Sequence, residues 1–450
     1  MSRPFLKRYP RFLTLLLVVA AVFASRASAQ EAAPLRLTLQ EAIEKGLQAN
    51  LGVLVADTRV QELAGTRTRR LANLLPRVRT QSFVNLQNRN LSAFGISFPG
   101  VPEVVGPFSN FDFRVYAEQN VVDLPSYHNW KASLRQLDAG KLDYQDARDL
   151  IVRSIAGLYL NAQSAGARVE AAQARVTSAD ALYRLAKDKH DVGTATGVDT
   201  LRAQVELANE KQSLLVARNQ QKQALLALAR NIGMNPGTPL ELAESLQFQP
   251  ASRPEAESAL RSALLARSDY MSLASQRLSL TEQQRASHAR YYPKFSINGN
   301  YGGLGRSIAG IKGIGIIQGT LDFTLFDRDR NGEAQEVAAR LHRIDDQIAD
   351  LRRGIDEDIR EALLNLESAA EQVAVAQEGR GLAQRELDLA QDRFQSGVTN
   401  NVEVVTAQDA LARAQENYIV AVSSHMDARF ALSRAVGGTE HNISPYLVKP

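Results

Sequence analysis

The 450-residue sequence contains no cysteine. A disulfide framework is therefore excluded, and the stability of the chain must come from packing or from oligomerisation. Because no cysteine follows Ala27-Ser28-Ala29, a lipid-modified N-terminus is excluded as well. The apolar run from Phe12 to Phe23 is about a dozen residues long, which is too short for a transmembrane helix of about 20 residues.

The first 29 residues have the pattern of a secretory signal peptide. Four basic residues precede the apolar run, and the small residues that end at Ala29 are typical of a cleavage site; a retained anchor is the alternative. The segment holds five basic residues and no acidic one, so its removal changes 53 basic and 49 acidic residues to about 48 and 49. The resulting net charge, near −1, gives no indication of a nucleic-acid partner.

The side chains that commonly act in catalysis or metal binding do not form a recognisable site in this sequence. The six histidines are scattered without metal-ligand spacing: His128, His190, His288, His342, His425 and His441. The sequence also lacks a phosphate-binding glycine loop and a serine-centred nucleophile elbow. We therefore expect no enzymatic activity, no cofactor and no metal site.

Most of the chain has a helical pattern, which is clearest on both sides of a short polar break from Gly397 to Asn401. Seam positions recur there at alternating steps of three and four, with large residues and alanines taking turns. They are Ala362, Leu366, Ala369, Val373, Ala376, Arg380, Ala383, Leu387, Ala390 and Phe394, then Val404, Ala407, Leu411, Ala414, Tyr418, Ala421, His425, Ala428, Leu432 and Ala435. This pattern predicts a closely packed antiparallel helical hairpin, with His425 as a core residue.

Two stretches change to the two-residue alternation of β-strands. Between 77 and 122, alternating residues flank a Gly/Pro/Phe-rich loop from Leu91 to Asn110, which predicts a β-hairpin with a long loop. Between 294 and 326, a Gly-rich turn separates a strand around Phe295–Tyr301 from a second one around Ile317–Leu325. Each strand has one apolar and one polar face, as transmembrane β-strands do.

The order of elements occurs twice, with offsets of about 217 and 204 residues between the copies. We predict a first repeat at 30–230, with a helix from Thr38 to Pro76 and a helical hairpin whose tip lies near 191–197. A joint at 231–254 leads to a second repeat at 255–436, with a helix from Glu255 to Arg290 and a tip near 397–401. Residues 437–450 form a C-terminal tail.

Four strands cannot close a barrel, and open sheet edges are not tolerated in hydrocarbon. Either the strands form an ordinary soluble sheet, or three chains contribute them to one twelve-stranded barrel. The segment from Asp123 to Gly193 holds about 70 residues, which as one helix would be about 105 Å long. Such a length favours a rod that rises from a membrane.

The sequence resembles the TolC family of trimeric outer-membrane efflux proteins along nearly all of the predicted mature chain. The carrying motifs are the paired helix openings (39–50 and 259–267), Pro76 and Pro293, the strand ends (Val122-Asp123 and 325–327), and the two tips (189–204 and 394–408). The resemblance implies an α+β membrane protein: a homotrimer with a twelve-stranded β-barrel, a long α-helical coiled-coil barrel in the periplasm, and a small mixed region at the joint. It also implies a periplasmic adaptor and an inner-membrane pump as partners.

Candidate site residues lie at the tips. The resemblance places Glu403, Thr406 and Asp199 at a periplasmic constriction; Thr406 stands where the family's best-studied member has a second acidic residue. Three Glu403 carboxylates on one axis would favour cations, whereas the alternative is an ordinary solvated charge. The expected tip and adaptor-docking residues are Gly193, Thr194, Gly197, Gly397, Val398 and Thr399, with Gly193 and Gly397 as left-handed helix ends.

The resulting hypothesis is a passive duct in the outer membrane through which small molecules or drugs leave the cell. The alternatives are the outer-membrane duct of a type I protein secretion system and, in another class, a periplasmic coiled-coil adaptor or scaffold. A metal efflux function is disfavoured because no His-, Met- or Cys-rich tract accompanies the seam.

Overall fold

The computed structural model describes residues 35–442, and side chains from 35 to 440. The predicted signal peptide and the last eight residues of the predicted tail lie outside this range. Within it, none of the helices combines the length and the apolar character that crossing a membrane requires.

Helices and strands follow the same order in both halves of the chain. The first half comprises β1 (Leu35–Leu37), α1 (Leu39–Ala49), α2 (Leu51–Ala72), β2 (Arg77–Asn90), β3 (Val104–Val122), α3 (Leu124–Asp191) and α4 (Gly197–Asn231). The second half comprises β4 (Leu240–Leu242), α5 (Ala256–Ala266), α6 (Ser268–Ala289), β5 (Lys294–Gly305), β6 (Lys312–Asp322), α7 (Asp329–Gln395), α8 (Asn401–Val436) and α9 (Thr439–Asn442). With 68 and 67 residues, α3 and α7 are each about 100 Å long.

The four long strands form one antiparallel sheet in the order β2-β3-β5-β6. The pairs β2–β3 and β5–β6 are the two hairpins, and β3 pairs with β5 to join the two halves of the chain. Strands β2 and β6 are the outer strands of the sheet. Each of them therefore has one backbone edge without a strand partner within the described chain.

Two strand boundaries differ from the sequence prediction. Strand β3 begins at Val104, so that Gly106 and Pro107, which we assigned to the loop, lie within it. Strand β6 runs from Lys312 to Asp322 rather than around Ile317–Leu325. The glycines at the start of β6 resemble a turn in sequence, but the ring of Tyr301 lies against them: a Cβ atom on Gly315 would be 3.0 Å from that ring. An aromatic side chain over glycines compensates for their missing side chains in a sheet.

Two of the predicted helices are broken. The helix predicted from Thr38 to Pro76 is two helices, α1 and α2, because Asn50 adopts an extended conformation between them. The side chain of Asn50 accepts a hydrogen bond from Gly52 N at 2.8 Å and so starts the new helix. The helix predicted from Glu255 to Arg290 is broken in the same way at Arg267, which is 217 residues further on. The break is thus a feature of the repeat.

A short parallel pair, β1 with β4, closes the joint between the two halves and was not predicted. The buried hydroxyl of Tyr159 donates a hydrogen bond to Leu37 O at 3.0 Å and contacts the Glu244 carboxylate. Burial first, and then the contact with Glu244, raises the pKa of Tyr159, so the phenol stays protonated and remains a donor. The same carboxylate accepts a hydrogen bond from Leu39 N at 3.1 Å. Strand, helix and joint are therefore fixed to one another at this point.

The coiled-coil seam is the core of the long hairpin α7–α8. Eight of its ten positions on each side of the break are buried, and Ala376, Arg380, Ala414 and Tyr418 are partly exposed. His425 is 1% exposed, and its ring lies 4.7 Å from that of Phe248, between ring centroids. Alanine at every second seam position leaves room for close helix approach.

Candidate functional site

Both hairpin tips end their first helix with a left-handed glycine. The φ angles are +79° at Gly193 and +77° at Gly397, a conformation that side chains disfavour. After Gly193, Thr194 N donates to Lys189 O at 2.8 Å; after Gly397, Val398 N donates to Arg393 O at 3.0 Å. These bonds satisfy carbonyls that the helix end leaves without an intrahelical partner.

Both tips then restart a helix from a side-chain cap. In the first tip, Thr196 and Asp199 form a capping box, with the Thr196 hydroxyl 2.6 Å from the Asp199 carboxylate. The same carboxylate lies 3.3 Å from Arg202 and its side chain is 13% exposed. In the second tip, Asn400 accepts a hydrogen bond from Val402 N at 3.0 Å. The Asp199 carboxylate is therefore engaged in starting its own helix.

The two tips are bonded to each other through buried Asn401, which is 0% exposed. Asn401 accepts a hydrogen bond from Arg202 at 2.7 Å and donates one to Asp199 O at 2.7 Å. On the preceding helices, Lys189 donates to Phe394 O at 2.9 Å and to Gln395 O at 3.0 Å. We call these contacts of Lys189, Asp199, Arg202 and Asn401 the tip interlock. None of Lys189, Arg202 and Asn401 was a site candidate in the sequence, because bonds between residues about 200 positions apart leave no local signal.

The predicted constriction residues of the second tip lie one helical turn apart at the start of α8. Glu403 is in the first turn, where its charge is favourable to the helix dipole, and its carboxylate is 3.4 Å from Arg393. Its side chain is 40% exposed. The Thr406 hydroxyl donates to Val402 O at 2.9 Å. One carboxylate per chain, partly balanced by Arg393, is thus present here.

The predicted docking residues share this end of the molecule. Gly193, Thr194, Gly197, Gly397 and Val398 are exposed, and Thr399 is half-buried. Apolar side chains beside them also face solvent: Val192, Val198, Leu201, Val398 and Val402 are 43–73% exposed. An apolar rim around two small turns is suited to a protein contact.

Outside the tips, aromatic side chains and a histidine meet at the start of α3. Among the side chains that the structure describes, from 35 to 440, no group of three or more His, Asp and Glu residues is placed to hold a metal ion. Tyr127, His128 and Trp130 form one aromatic group at the start of α3, in which His128 lies 2.8 Å from Glu282 of α6. This contact ties the start of α3 to the neighbouring helix α6.

A four-stranded antiparallel sheet joined to about 100 Å of paired helices defines the class of TolC-like outer membrane channels. Solved structures of this class have the same fold. The Campylobacter jejuni CmeC outer membrane channel has a TM-score of 0.77 at 17% identity, over 90% of this chain and 88% of that one. The outer membrane protein VceC from Vibrio cholerae has a TM-score of 0.76 at 17% identity, over 89% and 96%.

The chain belongs to the outer membrane efflux protein family, whose pattern matches residues 42–234 and 259–438. The pyoverdine export outer membrane protein OpmQ of Pseudomonas aeruginosa is 24% identical over 328 residues, or 69% of this chain. The toluene efflux pump outer membrane protein TtgC of Pseudomonas putida is 25% identical over 306 residues, or 64%. The alignments span 66% and 60% of these relatives, which is less than two thirds of their length. The chain is an outer membrane protein that extends into the periplasm, and its family is one of channels.

Proposed function

We propose that this chain is the outer membrane channel of a tripartite efflux system, a passive duct for small molecules that an inner-membrane pump expels through a periplasmic adaptor. The observation that carries the proposal is the open four-stranded sheet at one end of helices about 100 Å long. The named relatives support small molecules as cargo, since one exports pyoverdine and another belongs to a toluene efflux pump.

The open edges of β2 and β6 support a homotrimer. In hydrocarbon, an unpaired strand edge leaves backbone polar groups without partners, at a cost of several kcal/mol for each group. Three copies that pair β6 of one chain with β2 of the next would close twelve strands and leave no edge. The long helices of the three copies would then continue the barrel as a tube into the periplasm.

The tips support adaptor docking and a constriction. The exposed valines and glycines of both tips form the surface that an adaptor would contact. Glu403 stands at the start of α8, and the resemblance to the family implies that it lies at the constriction, where three copies would bring a ring of three carboxylates to the axis of the tube. Such a ring favours the passage of cations.

The test is single-channel recording in a planar bilayer with the detergent-purified protein after removal of residues 1–29. We expect discrete conductance steps and, for Glu403→Ala, a lower preference for potassium over chloride than in the unchanged protein. Glu378→Ala is the matched control, because Glu378 is exposed on α7, 17 residues before the helix ends at Gln395, and it should leave the preference unchanged.

The outcomes separate the alternatives. A protein that stays soluble without detergent and gives no steps would be the periplasmic scaffold. Steps with a preference that does not change in Glu403→Ala would remove Glu403 from the constriction. A deletion strain that retains small molecules but secretes the same proteins would favour efflux over a type I protein secretion duct; the reverse result would refute the choice of cargo.

A further inference from the structure

The register of the sheet separates its side chains into two faces, because directly paired residues of antiparallel strands project to the same side. The apolar face carries Val78, Val84, Leu86, Phe113, Val115, Ile297, Ile317 and Leu321. The opposite, polar face carries Gln81, Asn85, Tyr116, Asn298, Asn300 and Gln318, with some apolar side chains such as Phe83 and Ile316. In an outer membrane barrel the apolar face meets lipid and the polar face lines the lumen.

Charge on the polar face is unequal. Up to the register shift between Gln87 and Arg89, its basic residues are Arg77, Arg79, Arg114, Lys294 and Lys312, and its acidic residues are Asp112, Glu118 and Asp322. Two of the basic groups are neutralised: Arg114 binds Asp112 at 2.5 Å, and Lys294 lies 3.2 Å from Asp123. No carboxylate of the described chain lies within 4.0 Å of the charged nitrogens of Arg77, Arg79 or Lys312.

Arg79 has neutral partners instead. Its guanidinium lies 4.5 Å from the centroid of the Tyr116 ring and donates a hydrogen bond to Gln81 at 3.1 Å. A cation over an aromatic ring keeps its full charge and its remaining donors. Arg79 is therefore positioned by contacts that leave its charge available to an anion.

Around Arg79 the polar face forms a concave pocket of about 240 Å³. Arg77 and Tyr116 line it, together with the side-chain amides of Asn298, Asn300 and Gln318. Glu118 also lies at its wall, opposite Arg77 in the register. The pocket thus offers hydrogen-bond donors from two guanidinium groups, a phenol and three amides, against one carboxylate, which only accepts.

We propose that the Arg77–Arg79 pocket is an anion-attracting subsite of the barrel lumen, and that the cargo of this channel includes small organic anions with carboxylate, sulfonate or phosphate groups. The inference rests on the proposed channel function. Rings of arginine and lysine select anions in pores, and substitutions on the lumen side of outer membrane barrels change selectivity. Two guanidinium groups per chain without a carboxylate partner would place six such groups around the lumen of a trimer.

The test measures the chloride-to-potassium permeability ratio from reversal potentials of the full-length mature channel in a KCl gradient. Arg77→Gln/Arg79→Gln should lower this ratio at least about threefold at a mean of about 0.1 M salt, where the Debye length is about 10 Å. The change should largely vanish at about 1 M salt, where the Debye length is about 3 Å. Asp112→Asn/Arg114→Gln is the matched control, since it removes a charged pair from the same face without a change in net charge.

If the double variant does not assemble, the single variant Arg79→Gln provides the test. It should give about half the change in the logarithm of the chloride-to-potassium permeability ratio. A Glu403→Ala channel with both arginines present should prefer chloride, because the acidic ring at the tip is gone. Channels in which neither arginine variant changes the ratio, or a Glu403→Ala channel that prefers potassium, would overturn the anion subsite while leaving the duct in place. The absence of conductance steps in the unchanged protein would instead refute the duct itself.

Discussion

Substitution of Asn401 by alanine should release the two tips from each other. The change removes the hydrogen bond from Arg202 and the one to Asp199 O, both at 2.7 Å. A hydrogen bond to a charged group contributes about 1.5–3 kcal/mol and a neutral one about 0.5–1.5 kcal/mol, so the tip interlock should lose about 2–4.5 kcal/mol. Since 1.4 kcal/mol is a factor of ten, local opening of the tips should increase at least about 30-fold.

Hydrogen–deuterium exchange followed by mass spectrometry measures this opening in the detergent-purified protein. Peptides that cover 193–204 and 397–408 should exchange at least about 30-fold faster in Asn401→Ala, whereas peptides from the joint should not change. Asn161→Ala is the matched control, because Asn161 is an exposed asparagine of α3 and its loss should leave the tips protected. Unchanged exchange at both tips in Asn401→Ala would show that the interlock does not hold them together.

Two further predictions concern the sheet and the coiled-coil core. A Cβ atom at Gly302 would lie 1.9 Å from Phe113 O, so Gly302→Ala should separate β3 from β5 and greatly reduce the amount of folded protein in the outer membrane; Gly354→Ala, with no atom within 4 Å of the added Cβ, should raise helix stability by about 0.5–1 kcal/mol. Normal amounts of folded Gly302→Ala would contradict the close strand approach. Burial, and then the charge of Arg429, lowers the pKa of His425, so the unfolded chain binds a proton first as the pH falls. Stability should therefore fall below about pH 6.5, by up to about 1.4 kcal/mol per pH unit, and His425→Gln should abolish this part of the pH dependence of the melting temperature.

The sequence predicted the fold class because its hydrophobic patterns depend on neighbouring residues and continue over long stretches. The seam around Gly397 continues for ten positions on either side, and no other secondary structure fits steps of three and four over such a distance. The breaks at Asn50 and Arg267 were missed because neither of these two residues is itself a glycine or a proline. Asn50 is a good N-cap residue, but only its extended backbone in the structure shows that it starts a new helix.

The candidate site was predictable only in part. Gly193 and Gly397 have a conformational signature that sequence reasoning can use. The contacts of Asn401 have no such signature, because a buried asparagine at the start of a helix looks the same in sequence as an exposed N-cap asparagine. The sequence also failed to predict that the strands begin at Val104 and Lys312, for a related reason. Glycine and proline favour loops on average, and a covering ring such as Tyr301 overrides that average.

The free edges of β2 and β6 make the stability of this chain a collective property. A single copy cannot supply backbone hydrogen-bond partners for both strand edges. The population of the proposed closed trimer, and hence its apparent stability, would therefore depend on protein concentration. Until they meet, each copy carries two templates for pairing with any exposed strand. Slow delivery to the membrane would therefore increase the risk of aggregation, and correct assembly and membrane insertion would depend on each other.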